Sequence, residues 1–256
     1  MIYYPTISIL LILLSCTTDN KVVQGNDSRE SEPNGENREM GNHLTTGNYV
    51  RDIVNHPALK DFSELMLSYD NNSAYYDTKL SDVGYLMPYH GNVRPDDVIG
   101  AVNHMIDEVN QNLTIFYDFY TDDQKLQEKG KRFTGLFFFR GNPDAPFAIV
   151  CPGGGFSYVG SLHEGFPLAQ KISEPGLNAF VIRYRLGSEQ SATSDLAAAI
   201  AYIFRNAELL KVSTKDYSVW GGSAGARMAG NIALNGVSAY GGGNLPKPAS
   251  VVIDRK

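Results

Sequence analysis

The sequence predicts an α/β fold on a doubly wound, mostly parallel sheet, and three observations carry that prediction. Short apolar runs recur through the second half, among them Thr134–Phe139, Phe147–Cys151, Asn178–Tyr184 and Tyr217–Trp220. Helical stretches lie between them, above all the alanine-rich segment Asp195–Leu210. Strands that alternate with helices form parallel pairs, because a parallel partner is reached only through a crossover connection. Finally, two of the runs end directly in glycine-rich turns, Pro152-Gly153-Gly154-Gly155 after Cys151 and Gly221-Gly222-Ser223-Ala224-Gly225 after Trp220.

Bulk composition permits such a fold and narrows the function. The chain has 256 residues, 43% of them hydrophobic, with 15 Tyr and 12 Phe, enough to bury a core. Its formal net charge is −6 and no Lys/Arg cluster occurs, so a nucleic-acid partner has no electrostatic support. Cys16 and Cys151 are the two cysteines, too few for a disulfide framework.

At the N-terminus, Ile7–Leu14 is an apolar run followed at once by Ser15 and Cys16. A helix needs about 20 apolar residues to span a bilayer, so this shorter run suits the core of a signal peptide. Leu13-Leu14-Ser15-Cys16 resembles the lipobox of bacterial lipoproteins, which implies that Cys16 becomes the acylated first residue of an exported cell-envelope protein. Met1–Thr6 holds no Lys or Arg, a departure from the usual charged start. An uncleaved apolar N-terminus is therefore the alternative, with a secreted or periplasmic location. Thr17–Gly47 contains no aromatic residue and is rich in Asn, Ser, Glu and Gly, the composition of a flexible tether. The organisation expected is a signal peptide over 1–16, a tether over 17–48, a helical segment over 49–112 and a partial sheet domain over 113–256.

Within the helical segment, Leu59, Phe62, Leu65 and Met66 stand at helical spacing and mark one buried face. Asp96-Asp97 precedes Val98, Val102 and Ile106, which predicts a second helix with acidic residues in its first turn. His56, His90 and His104 lie here without paired ligand spacing and read as packing or surface residues, so no metal is expected. In the sheet domain, Leu113–Tyr120 and Thr134–Phe139 read as consecutive strands, and Phe147–Cys151 as a third. A helix is expected near His163–Ile172, a strand over Asn178–Tyr184, and a helix over Asp195–Leu210 capped by Ser194. Tyr217–Trp220 is the next strand, Arg227–Leu234 the next helix and Ala249–Ile253 a last strand.

Gly221-x-Ser223-x-Gly225 carries the chemistry. The pattern alone is weak, but a strand ends immediately before it and a helix begins immediately after it, as a nucleophile elbow requires. Acyl transfer develops an oxyanion, and glycines after Pro152 leave backbone N–H groups unobstructed to meet it. Ala224, the residue after the serine, supplies a further donor.

The segments CPGGGFSYVGSLHEGFPLA, NAFVIRYRLG and YSVWGGSAGARMAG resemble the α/β-hydrolase superfamily, and within it the esterases that act on acetylated carbohydrates and related small esters. The resemblance covers roughly Leu113–Ile253. It implies a sheet of the α/β-hydrolase type, a serine carboxylic-ester hydrolase working through an acyl-enzyme, and no cofactor. It makes Ser223 the nucleophile, and Gly154, Gly155 and Ala224 the oxyanion-hole positions. Phe156, Tyr158, His163 and Glu164 become pocket or loop-fixing residues. The partner implied is a small-molecule ester, acetylated carbohydrate among the candidates, with membrane contact only through the lipid anchor.

The sequence departs from the family after Ser223. The family order is nucleophile, acid, histidine. Here the last histidine is His163, and the acid after Ser223 is Asp254. A serine needs an adjacent base. His163 in that role is disfavoured by its place near a helix N-terminus, where an imidazolium is unwelcome. Cys151 reads as a small buried side chain rather than a nucleophile. The resemblance thus implies a sheet incomplete at its C-terminus and impaired chemistry. The alternatives are a non-catalytic envelope lipoprotein or binding remnant, and a peptidase of the prolyl-oligopeptidase type. A last strand left uncovered is expected to make the isolated chain poorly soluble or partly molten.

Overall fold

The computed structural model describes residues 43–68, 73–86 and 93–254. The signal peptide with Cys16, most of the tether and His90 lie outside the described residues.

Among those described, six strands form one sheet: β1 (Phe116–Tyr117), β2 (Gly135–Phe139), β3 (Pro146–Cys151), β4 (Asn178–Arg183), β5 (Ser213–Gly222) and β6 (Ser250–Asp254), in the order β1-β2-β4-β3-β5-β6. β2 runs antiparallel to β1 and to β4, while β4, β3, β5 and β6 are mutually parallel. The expected sheet is therefore present. The strand read over Leu113–Tyr120 contracts to Phe116–Tyr117, because Phe119 and Tyr120 leave the ladder and turn into the core.

Side chains alternate across the sheet, so each strand feeds two cores. Phe137, Phe139, Val150 and Val181 face one layer, and Phe138, Ile149, Phe180 and Ile182 face the other. Both faces are covered, which is why the central strands are continuous apolar runs instead of alternating ones. The first layer holds α1 (Val50–Val54), α2 (Ser63–Met66) and α4 (Pro95–Asn110), with α6 (Phe166–Ser173). The second holds α7 (Glu189–Arg205) and α9 (Ala224–Asn235). The short helices α3 (Ser73–Tyr76), α5 (Asp122–Gln127) and α8 (Ala207–Leu210) complete the series. Pro95 opens α4 where its missing N–H costs nothing, with Asp96 and Asp97 in the first turn as expected. Leu59 and Met66 are fully buried as their spacing indicated. Yet Pro57 and the turns after it leave only four residues of helix there, α2.

α7 begins six residues earlier than Asp195. Ser188 caps it by accepting from the Ser191 N–H, so Ser194 lies inside the helix, a correction to the expected cap. Asp195 then points into the protein from the second turn. Its carboxylate accepts from the Tyr120 hydroxyl at 2.7 Å, from the Arg185 backbone N–H at 2.7 Å and from the Arg185 guanidinium.

The connections place the site. From β3 the chain crosses through α6 on one face to β4; from β4 it crosses through α7 on the other face to β5, which lies on the opposite side of β3. The crossover direction reverses there, and in open α/β sheets ligands bind outside the strand carboxyl ends at such a reversal. Both glycine-rich turns, after β3 and after β5, open at that point.

Candidate active site

β5 ends at Gly222 and α9 begins at Ala224, leaving Ser223 alone to make the turn. It does so at φ 49° and ψ −114°, a left-handed conformation that side chains rarely adopt. Strain of this kind persists only when its surroundings impose it, and it concentrates at functional positions. The imposing contact is the packing of Gly225 onto β3, where a Cβ on Gly225 would lie 1.8 Å from the Cys151 carbonyl oxygen. Ser223 itself is exposed at the rim.

Facing it is the loop after β3. A Cβ on Gly153 would lie 3.3 Å from the Ser223 Cβ, so the loop touches the elbow. Gly154 has φ +139° and would set a Cβ 2.0 Å from the Tyr158 carbonyl, which restricts the position to glycine. Phe156 is also left-handed, at φ 60°, and its carbonyl accepts from the Gly187 N–H at 2.7 Å. The Tyr184 hydroxyl donates to the Pro152 carbonyl at 2.7 Å. The loop is thus moored to the segment after β4 at two points. Within the described residues, no hydrogen bond engages the N–H groups of Gly154, Gly155 or Ala224. These are the three donors that sequence reasoning assigned to an oxyanion.

Glu164 joins the two turns from below. One carboxylate oxygen accepts from the Gly153 N–H at 3.1 Å, and the other lies 2.2 Å from where a Cβ on Gly222 would stand. Burial first, and then this carboxylate, push the Cys151 thiol upward; with Cys151 fully buried, a thiolate is disfavoured. Burial, then Cys151 and Glu164, likewise keep the Tyr184 hydroxyl protonated, as its donation to Pro152 requires. Glu164→Ala is expected to lower unfolding free energy by about 2 kcal/mol, the worth of a hydrogen bond to a charged group. Urea titration of the two proteins measures it, and equal midpoints would remove Glu164 from this role.

His163 sits in a single π-helical turn, Ser161–Gly165, ahead of α6. It is 4% exposed, with Nδ1 3.5 Å from the Ser68 hydroxyl and its ring 6.2 Å from that of Tyr75. The geometry packs it toward the helical segment. Asp254 ends β6, in register with Gly222, which puts its backbone beside the elbow. His104 stacks on Phe139 and His43 lies 2.7 Å from Asp107, both packing or surface positions. Among the described residues, no group of three or more His, Cys, Asp or Glu is placed to hold a metal ion.

Sequence reasoning missed Tyr184, Gly187 and Gly153. Tyr184 had a signal, a polar tip ending an otherwise apolar strand; Gly187 and the Gly153 N–H had none, since their partners lie 31 and 11 residues away.

Comparison with known proteins adds one decisive observation. The family model BD-FAE matches residues 140–243, a span that contains both glycine-rich turns and the three strands between and around them. Residues 140–243, about two fifths of the chain, are thus similar to this α/β-hydrolase-type family. The chain is 26% identical over 114 residues to an acetylxylan esterase of Xylanibacter ruminicola, covering 44% of this chain and 22% of that protein. It is 31% identical over 108 residues to endo-1,4-beta-xylanase B of Butyrivibrio fibrisolvens, covering 39% and 17%. A solved acetyl ester-xyloside bifunctional hydrolase from Caldicellulosiruptor lactoaceticus aligns with a TM-score of 0.45 at 20% identity, over 54% of this chain and 55% of that one. The chain therefore spans about a fifth of the curated relatives it matches.

Proposed function

We propose that this protein is a serine carboxylic-ester hydrolase for small acyl esters, with acetyl esters of carbohydrates as the substrate class. The observation that carries the reading is Ser223 at φ 49°, exposed at the reversal point of the sheet and facing the glycine loop. In the reaction, the Ser223 oxygen bonds to the ester carbonyl carbon. The carbonyl oxygen takes up negative charge, and the N–H groups of Gly154, Gly155 and Ala224 stabilise it. The carbon–oxygen bond to the alcohol breaks, the alcohol leaves with a proton, and water then releases the acid from Ser223. Glu164 and Tyr184 hold the donor loop against the elbow before substrate arrives. The acetylxylan esterase likeness supports the acetyl class.

Ser223→Ala is expected to lower hydrolysis of p-nitrophenyl acetate by about 10³-fold or more. Activity that survives the substitution would overturn the reading. Comparing acetylated sugars with peptide substrates separates the esterase from a prolyl-oligopeptidase-type peptidase. A second reading, a non-catalytic binding protein, is supported by His163, which packs toward Ser68 and Tyr75. A fluorophosphonate probe decides between them, since labelling lost in Ser223→Ala marks an activated serine and an unlabelled native chain marks a binder. Export and acylation of Cys16 belong to the same proposal and rest on Ile7–Cys16 alone.

A further inference from the structure

Because β2 runs antiparallel to its neighbour β4, its entry lies at the same sheet edge as the exits of β3, β4 and β5; Gly135 pairs with Arg183. The turn before β2, Lys129–Phe133, is thereby carried to the rim that holds Ser223. Between this turn and the segment after β4 lies a cavity of about 360 Å³, bordered by Glu128, Phe133, Tyr184, Arg185, Leu186 and Ser191. That volume falls within the range of small-molecule sites, about 300–1,000 Å³.

Its position ties it to the elbow. β4 and β5 flank β3, and at about 4.8 Å per strand their ends lie roughly 10 Å apart. The Phe156 loop bridges the interval: its ring packs edge-on to Tyr184 at 6.2 Å, and its carbonyl is held by Gly187. A substrate whose acyl carbon sits at Ser223 would extend its alcohol portion toward this cavity.

The lining chooses the chemistry. Arg185 is clamped by the fully buried Asp195 and pairs with Glu128, while Lys131 pairs with Glu128 at 3.3 Å. Two cations and two carboxylates balance in this cluster, and Arg183, the further cation of the lining, is buried and donates to the Leu67 carbonyl at 3.1 Å. Glu128 remains half exposed, and an ionised carboxylate has about four acceptor positions, so lone pairs remain for hydroxyl donors. Phe133 is 56% exposed in the lining, and an aromatic ring of this kind meets the C–H groups of a saturated ring. Immobile polar groups beside an exposed aromatic face suit a neutral ring bearing several hydroxyls.

We propose that this cavity is a pyranose subsite that holds the sugar alcohol of the ester, with Phe133 as its stacking platform and Glu128 as its hydroxyl acceptor. The assignment rests on the esterase reading for its link to Ser223, but sugar binding can be measured without catalysis. The experiment is isothermal titration of the protein with unacetylated xylotriose, which presents no ester to cleave. Saturable binding is expected, weakened at least fivefold in Phe133→Ala and in Glu128→Gln. Leu209→Ser, at the exposed end of the turn before β5, is expected to bind as the native chain does. Thermal melts of each variant establish that it is folded. Absence of xylotriose binding, equal affinity in all the proteins, or competition by hexanol in place of sugar would overturn the subsite. Failure of the esterase reading shows separately, as loss of phosphonate labelling with xylotriose affinity intact.

Discussion

Asp195→Ala is expected to cost about 3–5 kcal/mol of stability, the penalty for removing one partner of a buried ion pair. Asp195 has no exposed surface, and its carboxylate receives the Tyr120 hydroxyl, the Arg185 backbone N–H and the Arg185 guanidinium together. Its removal leaves the Arg185 cation, whose side chain is 11% exposed, with the half-exposed Glu128 as its remaining carboxylate partner. For a domain of this size the loss corresponds to about 10 °C in Tm. Asp195→Asn keeps an acceptor and should fall between the two. Calorimetric melts of the three proteins test the ranking, and an alanine variant within about 2 °C of the native chain would show that the cluster is energetically idle.

Gly225→Ala should be nearly as damaging and more local. The added methyl would overlap the Cys151 carbonyl at 1.8 Å, contact with fixed backbone that no side-chain rotation relieves. α9 must lift from β3, at a cost of about 3 kcal/mol or more, and Ser223 loses the packing that enforces its backbone angles. The same helix supplies the control. Gly230 has nothing within 4 Å of an added Cβ, so Gly230→Ala should stabilise by about 0.5–1 kcal/mol through helix propensity. Urea unfolding of both variants checks the opposite signs. A Gly225→Ala protein as stable as the native one would mean that the elbow tolerates displacement.

The sheet was legible because its central strands are buried on both faces, and such strands are written as unbroken apolar runs such as Phe147–Cys151 and Asn178–Tyr184. The elbow was legible because its glycines answer to backbone overlap, a constraint that one residue type satisfies. Other features left weaker marks. Ser188 and Ser194 are equally good caps by composition, and only the direction of the chain after β4 selects the first. Asp195, expected only as the first residue of its helix, is a buried partner because α7 starts earlier and rotates it inward. The moorings of the glycine loop involve Gly187 and Glu164, side-chain-free or distant groups whose pairing exists only after the sheet has formed.

The layering of the two cores bears on how this protein can be divided. Val50, Ile53, Leu59, Met66, Val98 and Val102 share one continuous core with Phe137, Val150 and Val181 of the sheet. The region recognisable by descent begins at residue 140, but the unit that folds extends back at least to Leu44, which is buried in the same core. Homology and cooperativity therefore draw different borders here. A chain started at residue 113 would retain every chemical group at the rim, Glu128 and Phe133 included. It would also bare a greasy sheet face to water, and such a fragment belongs in inclusion bodies before it belongs in an assay.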